Sequence, residues 1–266
     1  MLALWFLAAP VLGAFGQDAP PDQTEQEAIV TRMREAAVAY EDRLQDFICR
    51  QRTTRDAGPS ATGPNWKRLE SQELELIYAG HKEHYRLLSV NGQSTSKTAG
   101  DLAKRIKHGP YFTPSGEFGS GLRKIFDPKA NAAFEWDHEE NSAGRRTCVF
   151  RYRVQEASST LVMQVNSDHL RMGHRGTVWA DCDTGSILRF QTETDPAHVI
   201  IHGRIVPIAE RLDLRYAAQR IAAQEFLLPE SAVETALFYK TWTKAEIQFG
   251  DYRKYDASSS ISFDHP

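Results

Sequence analysis

The chain has 266 residues, with 41% hydrophobic and 25% charged side chains and a formal net charge of −3. A balance this close to neutral leaves no strong field to attract nucleic acid or an anionic membrane surface, so we expect neither as a partner. Length alone allows one large domain or two small ones, each with a substantial core.

The chain begins with an apolar segment, residues 2–15. A segment of this length is too short to cross the roughly 30 Å hydrocarbon core of a bilayer as a helix, and Ala14-Phe15-Gly16 places small residues where a signal peptidase recognises them. We expect a signal peptide at residues 1–16 and an exported protein, periplasmic or secreted; a membrane anchor is the alternative. Beyond residue 17 no apolar stretch approaches membrane-spanning length, so no integral membrane insertion is expected after cleavage.

Residues 17–266 are predicted to form a single domain. The only interval rich in Pro, Gly and Ser, residues 56–64, is short and lies between strand-like segments. Such an interval is typical of a hairpin loop rather than of a linker between domains.

An amphipathic helix is predicted over residues 25–45. Thr24 is placed to cap its first turn, and Glu27 follows three residues later, as in a capping box. Apolar side chains recur at helical spacing, namely Ala28, Ile29, Met33, Ala36, Ala37 and Tyr40. This stripe requires an apolar partner.

Most of the remaining chain alternates apolar and polar side chains, the period of a β-strand with one wet face. Residues 74–90 contain the turn signal Ala79-Gly80 and are predicted to form a hairpin. Further strands are predicted at residues 133–139, 146–155, 160–166, 176–180, 187–194, 211–217, 231–240, 244–249 and 260–263. Short turns between about ten strands imply antiparallel pairing.

A second helix is predicted over residues 115–126, with Ser115 as its cap and Leu122, Ile125 and Phe126 as its apolar stripe. An antiparallel sheet of this extent must curl, and two amphipathic helices are suited to cover its apolar side. The predicted fold class is therefore mainly antiparallel β (α+β). It is a strongly curved half-barrel sheet of about ten strands, with an N-terminal helix and a second helix covering its concave face.

Three cysteines are present, Cys49, Cys148 and Cys182. An oxidising compartment would allow one disulfide among them, and the odd number leaves at least one cysteine unpaired, with the pairing open. Cys148 shares a strand face with Phe150 and Tyr152, which predicts that it is buried. The wide spacing of the cysteines matches no CxxC redox or zinc pattern.

The string of segments resembles a group of exported bacterial proteins of unknown function, and more distantly the half-barrel of periplasmic lipoprotein carriers of the LolA and LppX type and of the related sensor RseB. The segments that carry the resemblance are Phe47-Ile-Cys-Arg-Gln51, Ser115-Gly-Glu-Phe-Gly-Ser-Gly-Leu122, Val178-Trp-Ala-Asp-Cys-Asp-Thr-Gly-Ser-Ile-Leu-Arg189, Phe226-Leu-Leu-Pro229 and Asp251-Tyr-Arg-Lys-Tyr255. The resemblance implies a groove able to take an acyl chain or an apolar peptide. The abundant charge along the strands departs from the carrier pattern.

The groove candidates come from the helical stripes and from the facing strands. They are Met33, Ala37, Tyr40, Leu122 and Phe126 on the helices, and Leu76, Tyr78, Phe150 and Tyr152 on the strands. The same side chains are equally suited to an apolar core. The expected partner is a lipid, an acyl chain or an envelope protein.

No catalytic, metal or cofactor site is predicted. The glycine-rich stretch 116–121 is better explained by close approach of a helix to the sheet than by anion binding. The closest histidine pairs, His81 with His84 and His198 with His202, have no third ligand at motif spacing, and no serine lies in a GxSxG elbow.

Three functions follow, in this order of preference. The first is a non-enzymatic binding or carrier protein of the cell envelope for an apolar ligand or a protein segment. The second is a structural or protein-interaction module whose groove is filled by its own helices. The third is a hydrolase with an unrecognised active site.

Overall fold

The computed structural model describes residues 20–95, 117–142, 144–165, 168–201, 203–238 and 240–255. The predicted signal peptide at residues 1–16, the cap Ser115, His202 and the predicted strand 260–263 lie outside these ranges. Among the helices within them, none is long and apolar enough to cross a membrane.

The described residues form three α-helices and fourteen strands. The helices are α1 (Gln23–Val38), α2 (Tyr40–Arg43) and α3 (Ser120–Phe126), with 3₁₀ turns at Pro128–Ala130 and Glu156–Ser158. The strands are β1 (Phe47–Gly58), β2 (Lys67–Ala79), β3 (Lys82–Val90), β4 (Gln93–Ser94), β5 (Ala133–Ser142), β6 (Arg145–Val154), β7 (Val162–Val165), β8 (Asp168–Arg171), β9 (His174–Asp181), β10 (Ile187–Thr194), β11 (Ala197–Ile201), β12 (Arg204–Ile221), β13 (Gln224–Phe238) and β14 (Thr241–Lys254).

Twelve strands form one open sheet. Its order is β4-β3-β2-β1-β14-β13-β12-β10-β9-β6-β5, β11 pairs with β12, and β7 and β8 form a separate hairpin. The pairings between described strands are antiparallel. The predicted fold class, a curved antiparallel sheet that does not close into a barrel and is covered by two helices, is confirmed.

The alternation that predicts the strands is visible in β6. Cys148, Phe150 and Tyr152 are buried on one face, and Arg151 is exposed between them. Cys148, Phe150 and Tyr152 share a face because successive Cβ atoms of a strand point to opposite faces. On the other face Arg151 is exposed, whereas Thr147 and Val149 are buried. The predicted burial of Cys148 is confirmed, with 0% of the residue exposed.

The sequence prediction omits β4, β8 and β11, gives no bounds for the strand-like segment before residue 56, and shortens β12 and β13. The missing bounds of β1 have a physical reason, since its buried face carries Gln51, Thr53 and Arg55. Polar side chains on a covered face remove the apolar alternation on which strand prediction depends.

Both predicted helices are shorter than expected. α1 begins at Gln23 because the Asp22 carboxylate accepts a hydrogen bond from the backbone N–H of Glu25 at 2.8 Å, so the cap is Asp22 and not Thr24. The first helix ends at Val38, and α2 follows as a separate short turn. α3 begins only at Ser120, after Gly119 at a φ of 133°, a backbone conformation that favours glycine.

The main apolar core lies between α1, α3 and the sheet, and we call this covered side the concave face. Ile29, Met33 and Ala37 of α1 and Leu122, Ile125 and Phe126 of α3 pack there against inward side chains of the strands. The strand contribution includes Phe47, Leu76, Phe150, Val178, Phe190, Leu214 and Ile247. Burial of this face is the main apolar stabilisation of the sheet.

One turn fixes α1 to the sheet. The turn between β9 and β10 carries Cys182, which forms a disulfide with Cys148 of β6 and leaves Cys49 as a buried free thiol. The Arg32 guanidinium donates a hydrogen bond to the Cys182 carbonyl at 2.9 Å. Gly185 of the same turn, at a φ of 72°, lies directly against the backbone of Arg32 and Met33.

We expect Gly185→Ala to destabilise the protein by more than about 2 kcal/mol. The left-handed backbone costs a non-glycine residue about 1–2 kcal/mol, and the added Cβ would also overlap the Arg32 carbonyl. The matched control is Gly92→Ala, at a φ of 75° with no atom within 4 Å of the added carbon. Urea unfolding should show a clearly larger loss for Gly185→Ala, and equal losses would contradict close docking of this turn on α1.

Candidate functional site

The nine predicted groove residues come together in the structure. Eight of them are buried in the main core, and Tyr40 is partly buried against it. The middle of the concave face is tightly packed: the Phe47 ring stacks on Tyr78 at a centroid distance of 5.1 Å and contacts Phe118 at 5.2 Å. Six of the nine, Met33, Leu76, Tyr78, Phe126, Phe150 and Tyr152, therefore lie in a filled interior.

The other three residues line a pocket of about 310 Å³ at one end of α1. It lies between α1, α2 and α3 on one side and the beginnings of β10 and β13 on the other. We call it the helix pocket, and its lining residues are Ala36, Ala37, Tyr40, Arg43, Leu44, Leu122, Ser186, Ile187, Glu225, Phe226 and Leu227. Its volume is at the lower end of the range of about 300–1,000 Å³ for small-molecule sites.

The pocket exists because of small side chains and one fixed ring. Ala36 and Ala37 present only methyl groups where α1 faces the sheet. Tyr40 is fixed at the side, since its hydroxyl donates to the Leu227 carbonyl at 3.0 Å and its ring meets Tyr216 edge-on at 5.6 Å. The space is thus bounded by an ordered wall and has an apolar lining.

The rim of the helix pocket is polar. Arg43 at the end of α2 and Glu225 at the beginning of β13 are both exposed, and Ser186 is partly buried. Among the described residues, neither Arg43 nor Glu225 forms an ion pair, while Arg123 nearby pairs with Glu41 at 2.6 Å. An apolar interior with a charged mouth is the arrangement of a site for an amphiphile.

A larger space of about 600 Å³ lies along the opposite, exposed face of β6, β9, β10 and β12. Its arginines are already paired: Arg151 with Glu135 at 2.9 Å, and Arg211 and Arg175 with Glu193 at 3.1 and 3.7 Å. An open surface of paired charges is typical of a solvated sheet face. The helix pocket is therefore the better candidate site.

A second apolar cluster lies at the far end of the concave face, formed by Leu161, Met163, Met172, Val199, Ile201, Val206 and Ile208. Five side chains on the same face separate it from the main core, and we call them the polar row: His174, Thr192, Thr194, Glu210 and Glu234. His174 is 0% exposed, and neither ring nitrogen has a hydrogen-bond partner among the described residues.

Burial shifts the pKa values of the acidic side chains and of the histidine on this face. It raises the pKa of Glu234 well above the ordinary value, with the neighbouring Glu210 adding to the effect, and it also raises the pKa of Glu210. Burial raises the pKa of Glu117 to about 7. Burial, and then the positive charge of Lys124, lower the pKa of His174 to about 4. Each shift favours the neutral form of its group.

One group of three potential metal ligands occurs among the described residues, namely Glu139, Cys148 and Cys182. Both sulfur atoms are committed to the disulfide and cannot act as thiolate ligands. This group therefore does not form a metal site.

No protein-family model matches the chain, and no curated protein matches it. Among solved structures, it is similar to a domain assigned to outer membrane lipoprotein sorting from Vibrio parahaemolyticus, with 13% identity over 86% of this chain and 92% of that one and a TM-score of 0.41. It is also similar to LolA superfamily protein NE2245 from Nitrosomonas europaea, with 9% identity, 86% and 93% coverage and a TM-score of 0.37. A DUF1329 family protein from Desulfovibrio piger has 14% identity, 87% and 95% coverage and a TM-score of 0.36.

Of these three structures, one carries the LolA superfamily name that the sequence resemblance also gave. All three comparisons extend over most of both chains.

Several pocket residues are absent from the sequence prediction. Leu44 follows Tyr40 by four positions and continues the helical stripe, so its spacing could have identified it. Two further lining residues, Phe226 and Leu227, lie near the beginning of β13, and Ile187 begins β10. The turn between β9 and β10 brings Ile187 beneath α1. No local signal in the sequence indicates that position.

The buried histidine should make the fold sensitive to acid. Because the pKa of His174 is about 4 in the fold against 6.5 in an unfolded chain, its stabilising contribution is complete above pH 6.5 and is lost as the pH falls towards 4. The loss amounts to about 3 kcal/mol. We expect His174→Leu to reduce the difference in unfolding free energy between pH 8 and pH 4 by about that amount. Urea unfolding at both pH values measures it, and an unchanged difference would contradict the buried neutral state of His174.

Proposed function

We propose that the chain is a non-enzymatic binding protein that takes up one apolar chain, of the acyl type, in the helix pocket. The single observation that supports this function is the apolar space of about 310 Å³ beneath α1. The packed centre of the concave face leaves no continuous tunnel among the described residues. The proposed ligand is therefore either a short chain or a longer chain of which only the end enters the helix pocket.

The size of the pocket sets the expected ligand and affinity. If a methylene group occupies about the volume of one water molecule, roughly 30 Å³, the pocket accepts about ten carbons. Burial of that many methylenes contributes about 8 kcal/mol, and loss of translational and rotational freedom offsets at least about 4 kcal/mol of it. The net of at most about 4 kcal/mol corresponds to a dissociation constant of about 1 mM or weaker.

We further propose that the protein acts after export, in the periplasm or outside the cell. The disulfide between Cys148 and Cys182 supports this location, because such bonds persist in oxidising compartments. The apolar segment 2–15 supports it independently as a signal peptide. In that setting the protein would shield an acyl chain from water.

We expect Ala36→Phe to weaken binding of an apolar probe by at least tenfold, because the ring would occupy the pocket. Ala36 lines the pocket and is only half-buried, so the substitution can be accommodated without disrupting the core. The measurement is the fluorescence of N-phenyl-1-naphthylamine, an uncharged probe, and its displacement by dodecyl maltoside monomers.

The matched control is Val38→Phe, two residues further along α1, where the side chain is 44% exposed and does not line the pocket. This variant should bind the probe like the wild type. Equal affinity of Ala36→Phe and the wild type would contradict the pocket as the binding site.

The second candidate is a protein-interaction module whose concave face is filled by its own helices. The packing of six predicted groove residues into the core favours it. Failure of the folded wild-type protein to bind N-phenyl-1-naphthylamine or dodecyl maltoside would support this module in place of the binding protein.

A further inference from the structure

We infer that the helix pocket selects a single-chain amphiphile whose head group is zwitterionic, with a phosphate facing Arg43 and an ammonium group facing Glu225. This inference rests on the proposed function and names its ligand class. It depends on three features of the pocket, which are the apolar interior, the unpaired charges at the rim, and the opposite walls from which those charges come.

The interior cannot hold a polar head. Below the rim the lining consists of Ala, Leu, Ile and Phe side chains together with the Tyr40 ring. The Tyr40 hydroxyl already donates to the Leu227 carbonyl. A head group buried there would lose its hydration without gaining a partner, a cost of several kcal/mol for a charged group. The chain must therefore enter first, and the head must remain at the mouth.

Arg43 is distinctive among the arginines of the described helices. Arg32 donates to the Cys182 carbonyl, Arg34 donates to the Ala132 carbonyl, and Arg123 pairs with Glu41. Arg43 has no such partner among the described residues, although it lines the pocket. A guanidinium group is the side chain best suited to hold a phosphate, through two parallel hydrogen bonds.

Glu225 supplies the complementary charge from the other wall. It lies at the beginning of β13, whereas Arg43 ends α2, and the two side chains form no ion pair within 4.0 Å. Neither charge is therefore neutralised by the other within the protein. A head with only a negative charge would be repelled by Glu225, and one with only a positive charge would be repelled by Arg43. A head group that carries both charges forms an attractive contact with Arg43 and with Glu225.

The test compares four twelve-carbon amphiphiles as monomers, each displacing N-phenyl-1-naphthylamine from the folded protein. They are dodecylphosphocholine, dodecanoate, dodecylammonium and the uncharged dodecyl maltoside. We expect the wild type to bind dodecylphosphocholine about tenfold more tightly than dodecyl maltoside, since one charge-assisted contact at an exposed rim is worth about that factor.

Substitutions at the two exposed rim residues test the contribution of each charge separately. Arg43→Gln should weaken dodecylphosphocholine and dodecanoate about tenfold and leave dodecylammonium no weaker. Glu225→Gln should weaken dodecylphosphocholine and dodecylammonium and leave dodecanoate no weaker. The control Arg220→Gln, an exposed arginine opposite Glu225 that does not line the pocket, should change none of the four affinities.

The uncharged dodecyl maltoside distinguishes a failure of the head-group inference from a failure of the proposed binding function. If it binds all variants equally while dodecylphosphocholine shows no advantage over it, the head-group inference is overturned and the binding function stands. If dodecyl maltoside does not bind the wild type at all, the binding function itself fails. Weakening of dodecylphosphocholine by Arg220→Gln as much as by Arg43→Gln would also overturn the inference, because a general surface charge would then account for the preference.

Discussion

The structure depends on one requirement, that a single face of a bent twelve-stranded sheet be hidden from water. Among the described elements, α1 and α3 are the helices that cover this face, and α1 is held where the β9–β10 turn meets it. The Cys148–Cys182 bond ties this turn to β6, so the position of the helix is set by the sheet. Apolar burial supplies the free energy, and the turn decides where the helix lies.

The helix pocket is a consequence of that position. α1 is held at Arg32 and Met33 and ends at Val38, and the short helix α2 follows before β1 begins at Phe47. Alanines at this end do not fill the gap, and a fixed tyrosine prevents the strands from closing it. Each contact that is missing around this gap reduces stability, and the packed core beside it supplies the compensating burial.

The fold class could be predicted from the sequence because alternation and helical stripes are local signals. They place Met33 and Ala37 on one helix face and Phe150 and Tyr152 on one strand face, as the structure has them. The polar inner face of β1 could not be predicted, since Gln51, Thr53 and Arg55 gain their burial from distant parts of the chain. The pocket was identified only in part, because Ala37, Tyr40 and Leu122 signal apolar faces whereas the gap between those faces arises from tertiary geometry.

The hydrogen bond from Arg32 to Cys182 joins residues 150 positions apart. A chain synthesised from its N-terminus therefore exposes Ile29 and Met33 long before the turn that receives them has been made. Contacts of such sequence separation form slowly, and exposed apolar stripes favour aggregation in the interval. The order of folding therefore follows from the turn, because α1 reaches its final position only after Cys182 and Gly185 are in place.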